Sequence, residues 1–295
     1  MTARSERSTL VAFLLGAVLA GGNGVAIRFS NRELDPLWGA CLRFALAGAL
    51  LLGVMALMQL ALPRGRALAG AVLFGLLQFG ATFALMYHAL VELYAGFAQI
   101  ILALVPLLTL LLAISERQER FRADALVGGV VALAGIALMS GAALPSPLPL
   151  TSILAALGSA LCFAQAAVLV RFLPRVHPVT MNAVGMTAGT VALLAVALVV
   201  GETLSVPDTA STWSAVLYLA TFGSIAVFLL YLFVLRRWEA SRAAYSFVLI
   251  PVVTVILSAW LDDEPIGAGL VGGGVLVLGG VYVGALRSSP EPVEG

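Results

Sequence analysis

The sequence contains no lysine, and charged residues of either sign occupy only 11% of its 295 positions. Soluble globular domains carry about 25% charged residues, so this scarcity excludes an ordinary soluble domain. The hydrophobic share of 61% and a mean hydropathy of +1.07 indicate a chain that lies in membrane lipid. A net charge of +1, with no run of basic residues, also excludes nucleic acid as a partner.

Chemically reactive side chains are equally scarce. The only cysteines, Cys41 and Cys162, lie far apart in apolar segments, which predicts two free thiols and no metal site. The only histidines, His88 and His177, are also far apart, and the motifs GxxxxGK[ST], HExxH and GxSxG are missing from the sequence. The protein is therefore predicted not to be an enzyme and to need no cofactor.

Carboxylates are missing from the middle of every apolar run. All fifteen acidic residues fall in loops or at the ends of runs, and the one borderline case, Glu92, is expected to be a solvated helix N-terminus at the outer start of the fourth run. Proton-coupled pumps usually keep an ionisable group at membrane depth. Proton coupling is therefore not expected.

Ten apolar runs are long enough to cross a membrane as helices, which needs about 20 residues each. The predicted spans are 8–27, 37–60, 67–88, 91–114, 123–141, 150–171, 179–200, 212–235, 241–261 and 266–286. Arginine accumulates on the cytoplasmic side of membrane proteins. With the N-terminus inside, thirteen of the sixteen arginines lie on that side, so both termini are predicted to face the cytoplasm.

The chain repeats itself. The segment LALVPLLTLLL at Leu102–Leu112 returns as FVLIPVVTVIL at Phe247–Leu257, each with a proline in its middle, and a glycine-rich run follows both. A proline breaks the helical hydrogen-bond ladder, so Pro106 and Pro251 are the predicted pair of hinges.

Each copy contains five predicted helices, and an odd number makes the second copy enter the membrane from the opposite face. The predicted fold is therefore an all-α integral membrane protein of ten transmembrane helices, built as two inverted five-helix repeats. The predicted boundaries are 1–145 for the first repeat and 146–287 for the second, with a disordered tail at 288–295.

Neutral polar side chains remain as candidates for solute binding, and they fall at paired places. Asn23 in the first run corresponds to Gln165 in the sixth. Gln78 in the third corresponds to Thr221 in the eighth. Such groups in hydrocarbon must find a partner in another helix or in a polar cavity, and for each one alone both roles are open.

As a set, these side chains predict a central cavity shared by spans 1, 3, 4, 6, 8 and 9. Its expected substrate-binding residues are Asn23, Gln78, Tyr94, Gln99, Gln165, Thr221, Tyr245 and Ser246. A cavity lined by amides, hydroxyls and aromatic rings suits a small neutral or zwitterionic solute.

Arg43 is the one arginine inside a span. It is expected to reach outward and form an ion pair with Glu33 or Asp35. The alternative is that Arg43 serves as a gate or as an anchor for a carboxylate.

These features together resemble a known family. The LRFALAG segment at 42–48, which follows Pro-Leu-Trp at 36–38, the two Pro-x-x-Thr helices and the glycine-rich helices closing each half are similar to the drug/metabolite transporter superfamily, in its ten-helix EamA branch. Within that branch the chain looks most like bacterial exporters of amino acids, including aromatic ones. The small multidrug members depend on a glutamate in the first helix, where this chain has Asn23.

The resemblance implies alternating access around a central cavity and export of neutral or aromatic amino acids, or related metabolites, across the bacterial cytoplasmic membrane. The expected partners are a small-molecule substrate and membrane lipid, as a monomer or a homodimer. The alternatives are a nucleotide-sugar or multidrug carrier, or, in a different class, a membrane scaffold or lipid-modifying enzyme without transport.

Overall fold

The structure is a computed structural model that describes residues 3–116, 123–143, 149–235, 237 and 246–283. The helices in these ranges are α1 (Ala3–Ser30), α2 (Pro36–Leu57), α3 (Arg66–Gly75), α4 (Thr82–Glu92), α5 (Ala95–Leu102), α6 (Val105–Ser115), α7 (Ala123–Ala143), α8 (Leu150–Leu169), α9 (Pro178–Val200), α10 (Ala210–Ala220), α11 (Val227–Leu235), α12 (Ser246–Leu261) and α13 (Ala268–Val281). A 3₁₀ turn, Val170–Phe172, follows α8. No strand occurs in these ranges.

Seven helical segments in the described part of the chain are long and apolar enough to cross a membrane. They are Glu6–Ser30, Pro36–Leu57, Arg66–Glu92, Ala95–Ser115, Leu150–Leu169, Pro178–Val200 and Ala210–Tyr231. Three shorter apolar segments complete the series, Val127–Leu138, Leu249–Leu261 and Ala268–Val281. The predicted all-helical membrane class is confirmed, whereas the number of ten spans stays a prediction.

The boundary between the third and fourth runs differs from the expected one. The third run continues to Glu92, and the fourth begins at Ala95. Glu92 therefore ends α4 instead of starting the next helix, and its carboxylate accepts a hydrogen bond from the Ser152 hydroxyl on α8. The expected helix N-terminus at this residue is therefore wrong, although Glu92 is exposed as expected.

Two π-helical turns interrupt the bundle at matching places in the two halves. One, π1 (Leu76–Ala81), joins α3 to α4, and the other, π2 (Thr221–Ala226), joins α10 to α11. Both contain a Phe-Gly pair, Phe79-Gly80 in π1 and Phe222-Gly223 in π2. A π turn widens the helix by one residue and alters its hydrogen bonding, and such turns occur frequently at functional sites.

Helix contacts between the two halves are reciprocal. The first helix, α1, contacts α10, π2, α11 and α12, while α8 contacts π1, α4, α5 and α6. In addition, α2 packs along α9 and α7 packs along α13. The first helix of each half thus contacts the third and fourth of the other half, and the second and fifth helices contact their own counterparts.

The close contact between α7 and α13 depends on glycine. A Cβ atom at Gly135 would stand 2.6 Å from the Gly273 carbonyl oxygen, and one at Gly280 would stand 2.5 Å from the Gly128 carbonyl oxygen. No side chain fits at these distances. Small residues let two helices in lipid approach backbone to backbone, where van der Waals packing holds them together.

The two prolines predicted as hinges lie in different surroundings. The chain leaves α5 at Leu102 and resumes a helix at Val105, so the helix is broken just before Pro106. Pro251 instead lies inside α12, which is continuous. The expected pair of broken helices is therefore wrong for the second member, and the hinge role of both prolines stays a prediction.

Candidate functional site

Carboxylates at one end of the bundle cap helices of the opposite half; we name it the outer end, after the side on which the sequence predicts it to lie. Glu202 accepts hydrogen bonds from two backbone amides in the first turn of α2, at 3.1 and 2.8 Å. Glu264 accepts from two in the first turn of α5, at 2.7 and 3.3 Å. Helix N-termini leave backbone amides without partners and carry partial positive charge, so each carboxylate stabilises the helix it meets.

Arginines of α1 and the following turn bind the same acidic segment. Arg28 Nε lies 2.5 Å from an Asp262 oxygen and 3.0 Å from a Glu264 oxygen, and Arg32 also pairs with Asp262. The ring of Tyr94 lies 5.7 Å from the guanidinium carbon of Arg28. This contact places Tyr94 at the outer end rather than in the middle of the bundle.

The acids expected to pair with Arg43 have other partners. Glu33 accepts hydrogen bonds from the Thr209 hydroxyl, from the Thr209 amide at 3.1 Å and from the Asp208 amide at 2.9 Å. These bonds, above all the one from the Thr209 hydroxyl, hold the pKa of Glu33 below its ordinary value. Asp35 accepts from the Thr203 amide at 2.7 Å. The predicted ion pair between Arg43 and Glu33 or Asp35 is therefore wrong.

Arg43 instead turns inward, where only 2% of its surface is exposed. Its Nε donates to the Ser224 hydroxyl and its Nη2 donates to the Gly223 carbonyl oxygen, both at 3.2 Å. The guanidinium carbon lies 4.6 Å from the Phe83 ring centroid and 5.0 Å from that of Phe44. The side chain thus joins α2 to the π2 turn of the other half.

Asn23 meets the same carbonyl from α1. Its Nδ2 donates to the Gly223 carbonyl oxygen at 3.1 Å, so this backbone oxygen accepts from both the amide and the guanidinium. A Cβ at position 223 would overlap the Asn23 side-chain oxygen, so any larger residue would displace the Asn23 side chain from this position. Tyr218 completes the group from α10 by donating to the Leu19 carbonyl oxygen at 2.7 Å.

Three polar atoms of this cluster are buried without a hydrogen-bond partner: Arg43 Nη1, the Asn23 Oδ1 and the Tyr87 hydroxyl. Tyr87 is fully buried on α4, and its hydroxyl lies beside the Arg43 guanidinium, in a contact that falls short of strict hydrogen-bond geometry. In the part of the chain that the structure describes, Arg43 has no carboxylate partner. We call Asn23, Arg43, Tyr87, Gly223 and Ser224 the central polar cluster.

The other predicted polar residues lie at varied depths. Gln78 is buried in π1, one residue before Phe79, whose ring packs 5.2 Å from that of Phe44. Thr221 begins π2, and its hydroxyl donates to the Leu217 carbonyl oxygen within its own helix.

Three further residues of the predicted set, Gln99, Ser246 and Tyr245, are not among the residues of the central polar cluster. Gln99 is half-buried on α5, and its backbone carbonyl accepts from the Ala103 amide at the break before α6. Ser246 is the half-buried first residue of α12, and Tyr245 lies outside the described residues.

Gln165 lies away from the central polar cluster. Its Nε2 donates at 2.9 Å to Glu116, which directly follows α6 at the end of the bundle opposite the outer acids. The structure therefore does not bring Gln165 together with its predicted counterpart Asn23. The substrate-binding role assigned to the set stays a prediction.

An apolar groove of about 490 Å³ lies between α2, α3 and α9. Leucine, valine and alanine line it, and the hydroxyl of its one polar residue, Thr187, donates to the Ala183 carbonyl within α9. This groove is not the polar cavity that the sequence predicts.

Sequence reasoning missed three contributors to the cluster. Gly223 acts through its backbone carbonyl, which no side-chain pattern reveals. Ser224 directly follows the Phe-Gly pair, and Tyr87 follows the matching pair in the first half. The repeated Phe-Gly pair was thus the available signal.

A bundle of apolar helices with a buried polar cluster between its halves defines an integral membrane protein. The chain belongs to the EamA-like transporter family, whose model matches it twice, at residues 7–141 and 150–285.

Related proteins carry the same description. The chain is 31% identical over 261 residues to the uncharacterized inner membrane transporter YedA of Escherichia coli strain K12, covering 85% of this chain and 83% of that protein. An uncharacterized transporter of Archaeoglobus fulgidus is 27% identical over 268 residues, covering 88% and 91%. A solved protein crystal structure shares the fold, with a TM-score of 0.66 at 23% identity over 94% of this chain and 99% of that one. The protein is accordingly a multi-pass membrane transporter.

Proposed function

We propose that the protein exports neutral or aromatic amino acids, or related small metabolites, across the bacterial cytoplasmic membrane by alternating access. The observation that carries this proposal is the central polar cluster, because its donors and acceptors come from both halves and meet at one carbonyl. A solute bound there would lie between two units that move relative to each other.

The proposed architecture is ten spans in two inverted repeats, with both termini in the cytoplasm. The reciprocal contacts support it, since exchanging the halves leaves the pattern of helix pairs unchanged. Bending at Pro106 and Pro251 would let the pairs rock about the cluster. Hydrogen bonds and ion pairs across the outer end, between Arg28 and the Asp262–Glu264 segment, correspond to a state closed toward the outside.

Transport is proposed to be facilitative. The buried acidic residue at the outer end, Glu264, is held by the first turn of α5 and by Arg28. These contacts hold the carboxylate at an end of the bundle, away from the central polar cluster, so the proposal gives it no part in carrying protons.

The test is a counterflow screen with purified protein in liposomes. Labelled amino acids should exchange into liposomes preloaded with the same amino acid, without an imposed pH gradient. Nucleotide sugars and cationic drugs belong in the same screen, and uptake of one of these instead would replace the proposed substrate class. Counterflow of no solute would contradict the proposed transport activity, and a requirement for a pH gradient would contradict the facilitative mechanism.

A further inference from the structure

The central polar cluster has an unbalanced charge. A buried guanidinium keeps its proton under all ordinary conditions, and removing it from water is strongly unfavourable unless partners compensate. Arg43 has a carbonyl, a hydroxyl and two aromatic faces as partners, none of which carries a negative charge. One of its terminal nitrogens, Nη1, still has no partner.

The unpartnered atoms around it form a complementary set. Arg43 Nη1 and the Tyr87 hydroxyl are both donors, and Tyr87 lies beside the guanidinium, while the Asn23 Oδ1 is an acceptor that lies against Gly223, whose carbonyl Asn23 and Arg43 share. A carboxylate needs two donors, ideally with one of them cationic. An ammonium group needs an acceptor such as a carboxamide oxygen.

From this geometry we infer that Arg43 and Tyr87 bind the carboxylate of the transported solute and that Asn23 accepts a hydrogen bond from its ammonium group. The inference rests on the proposed function and narrows it to solutes with a free α-carboxylate. The bound carboxylate supplies the negative charge that the guanidinium lacks. A single cation with one free nitrogen fits a monoanionic carboxylate better than a phosphate, which calls for more charge.

The cluster is closed in this structure, since Arg43 and Tyr87 are almost wholly buried. Binding therefore requires the two halves to separate at π2. The guanidinium that binds the solute through Nη1 also joins the two halves through Nε and Nη2, which links solute binding to the change of state.

Tyr87→Phe is the most direct variant for the test. It removes a hydroxyl that makes no hydrogen bond of strict geometry in this structure, so a purely structural role predicts at most a small loss of stability and an equal effect on competition by phenylalanine and by its amide. The matched control is Tyr231→Phe, at the corresponding place in the second half, where the side chain is 38% exposed.

The experiment compares L-phenylalanine with L-phenylalaninamide, which lacks the carboxylate, and with phenylpyruvate, which lacks the ammonium group. Each unlabelled compound competes with labelled phenylalanine in counterflow. In wild type, phenylalanine should compete at a concentration about tenfold lower than its amide does. In Tyr87→Phe, the concentration of phenylalanine needed for competition should rise about tenfold, and that of the amide should stay unchanged. Asn23→Ala should reduce the preference for phenylalanine over phenylpyruvate.

Arg43→Gln should abolish the preference for phenylalanine over its amide. Arg43→Lys keeps the positive charge and should retain part of that preference. If Arg43→Gln does not fold, Tyr87→Phe decides alone. Equal competition by acid and amide in wild type, or a Tyr87→Phe variant that behaves like Tyr231→Phe, would overturn the inference while leaving transport in place. Absence of any amino acid counterflow in wild type would instead reject the proposed function, and the inference with it.

Discussion

The two halves of the chain contain the same π-helical turn in different chemical surroundings. In the first half, π1 packs against α9, where Gly189 lies so near that a Cβ would stand 2.7 Å from the Cβ of Phe79. In the second half, the carbonyl and hydroxyl of π2 receive Arg43 and Asn23. The same π turn thus takes part in apolar packing in the first half and in hydrogen bonding to polar side chains in the second half. Both halves contain the turn, but only the turn of the second half makes hydrogen bonds to Arg43 and Asn23.

The largest expected effect tests the packing role of the first half. Gly75, just before π1, lies so close to the Gly185 backbone of α9 that any Cβ would overlap it. Gly75→Ala should therefore lower the free energy of unfolding by roughly 3 kcal/mol or more, because neither backbone can move away without repacking. The measurement is the thermal unfolding of the purified variant in detergent.

The control for this variant is Gly53→Ala, since nothing lies within 4 Å of a Cβ there. It should change stability by no more than about 1 kcal/mol, as expected from helix propensity alone. Equal behaviour of the two variants would mean that the first-half turn is not a packing device.

The sequence predicted the helices of the two halves better than the contacts of the polar side chains between them. Apolar runs in lipid must be helices, because no water is present to satisfy backbone groups, so hydropathy located the helices. The repeated Phe-Gly pair lies in both π turns, but the pair alone did not predict them. The direction of Arg43 could not be predicted, since its partners lie about 180 positions away and one of them is a backbone oxygen. Gln165 shows the same limit, because its polar character says nothing about its depth in the bundle.

A smaller effect tests the polar role of the second half. Gly223→Ala forces the Asn23 side chain away from the carbonyl that it binds, which should cost about 2 kcal/mol of stability and most of the transport rate. Adding Asn23→Ala removes the overlap, so the double variant should regain stability without regaining transport. Additive losses in the two variants would show that the residues do not act on each other.

The two halves also differ in where their predicted hinge prolines lie within a helix. Pro251→Ala restores one backbone hydrogen bond inside α12 and should stabilise the protein by about 1 kcal/mol. Pro106→Ala should change stability less, because Pro106 lies in the first turn of α6, where its missing amide hydrogen has no helical partner. Both variants should slow counterflow in liposomes if these sites bend during transport. Unchanged rates in both would remove the prolines from the mechanism.

The smallest effect concerns the outer end, where hydrogen bonds join the two halves. Glu33 of the first half accepts three hydrogen bonds from the Asp208–Thr209 segment of the second, and these lower its pKa from the ordinary 4.5. Because the charged form is the one stabilised in the folded protein, the contribution is fully present above pH 4.5 and is lost as the pH falls through the lowered pKa. The difference in melting temperature between wild type and Glu33→Gln should therefore be constant from pH 7 to about 5.5 and should shrink toward pH 3. Thr209→Val, which removes the main donor, should weaken this pH dependence. Parallel melting curves for wild type and Glu33→Gln down to pH 3 would show that the charge of Glu33 contributes nothing to this contact between the halves.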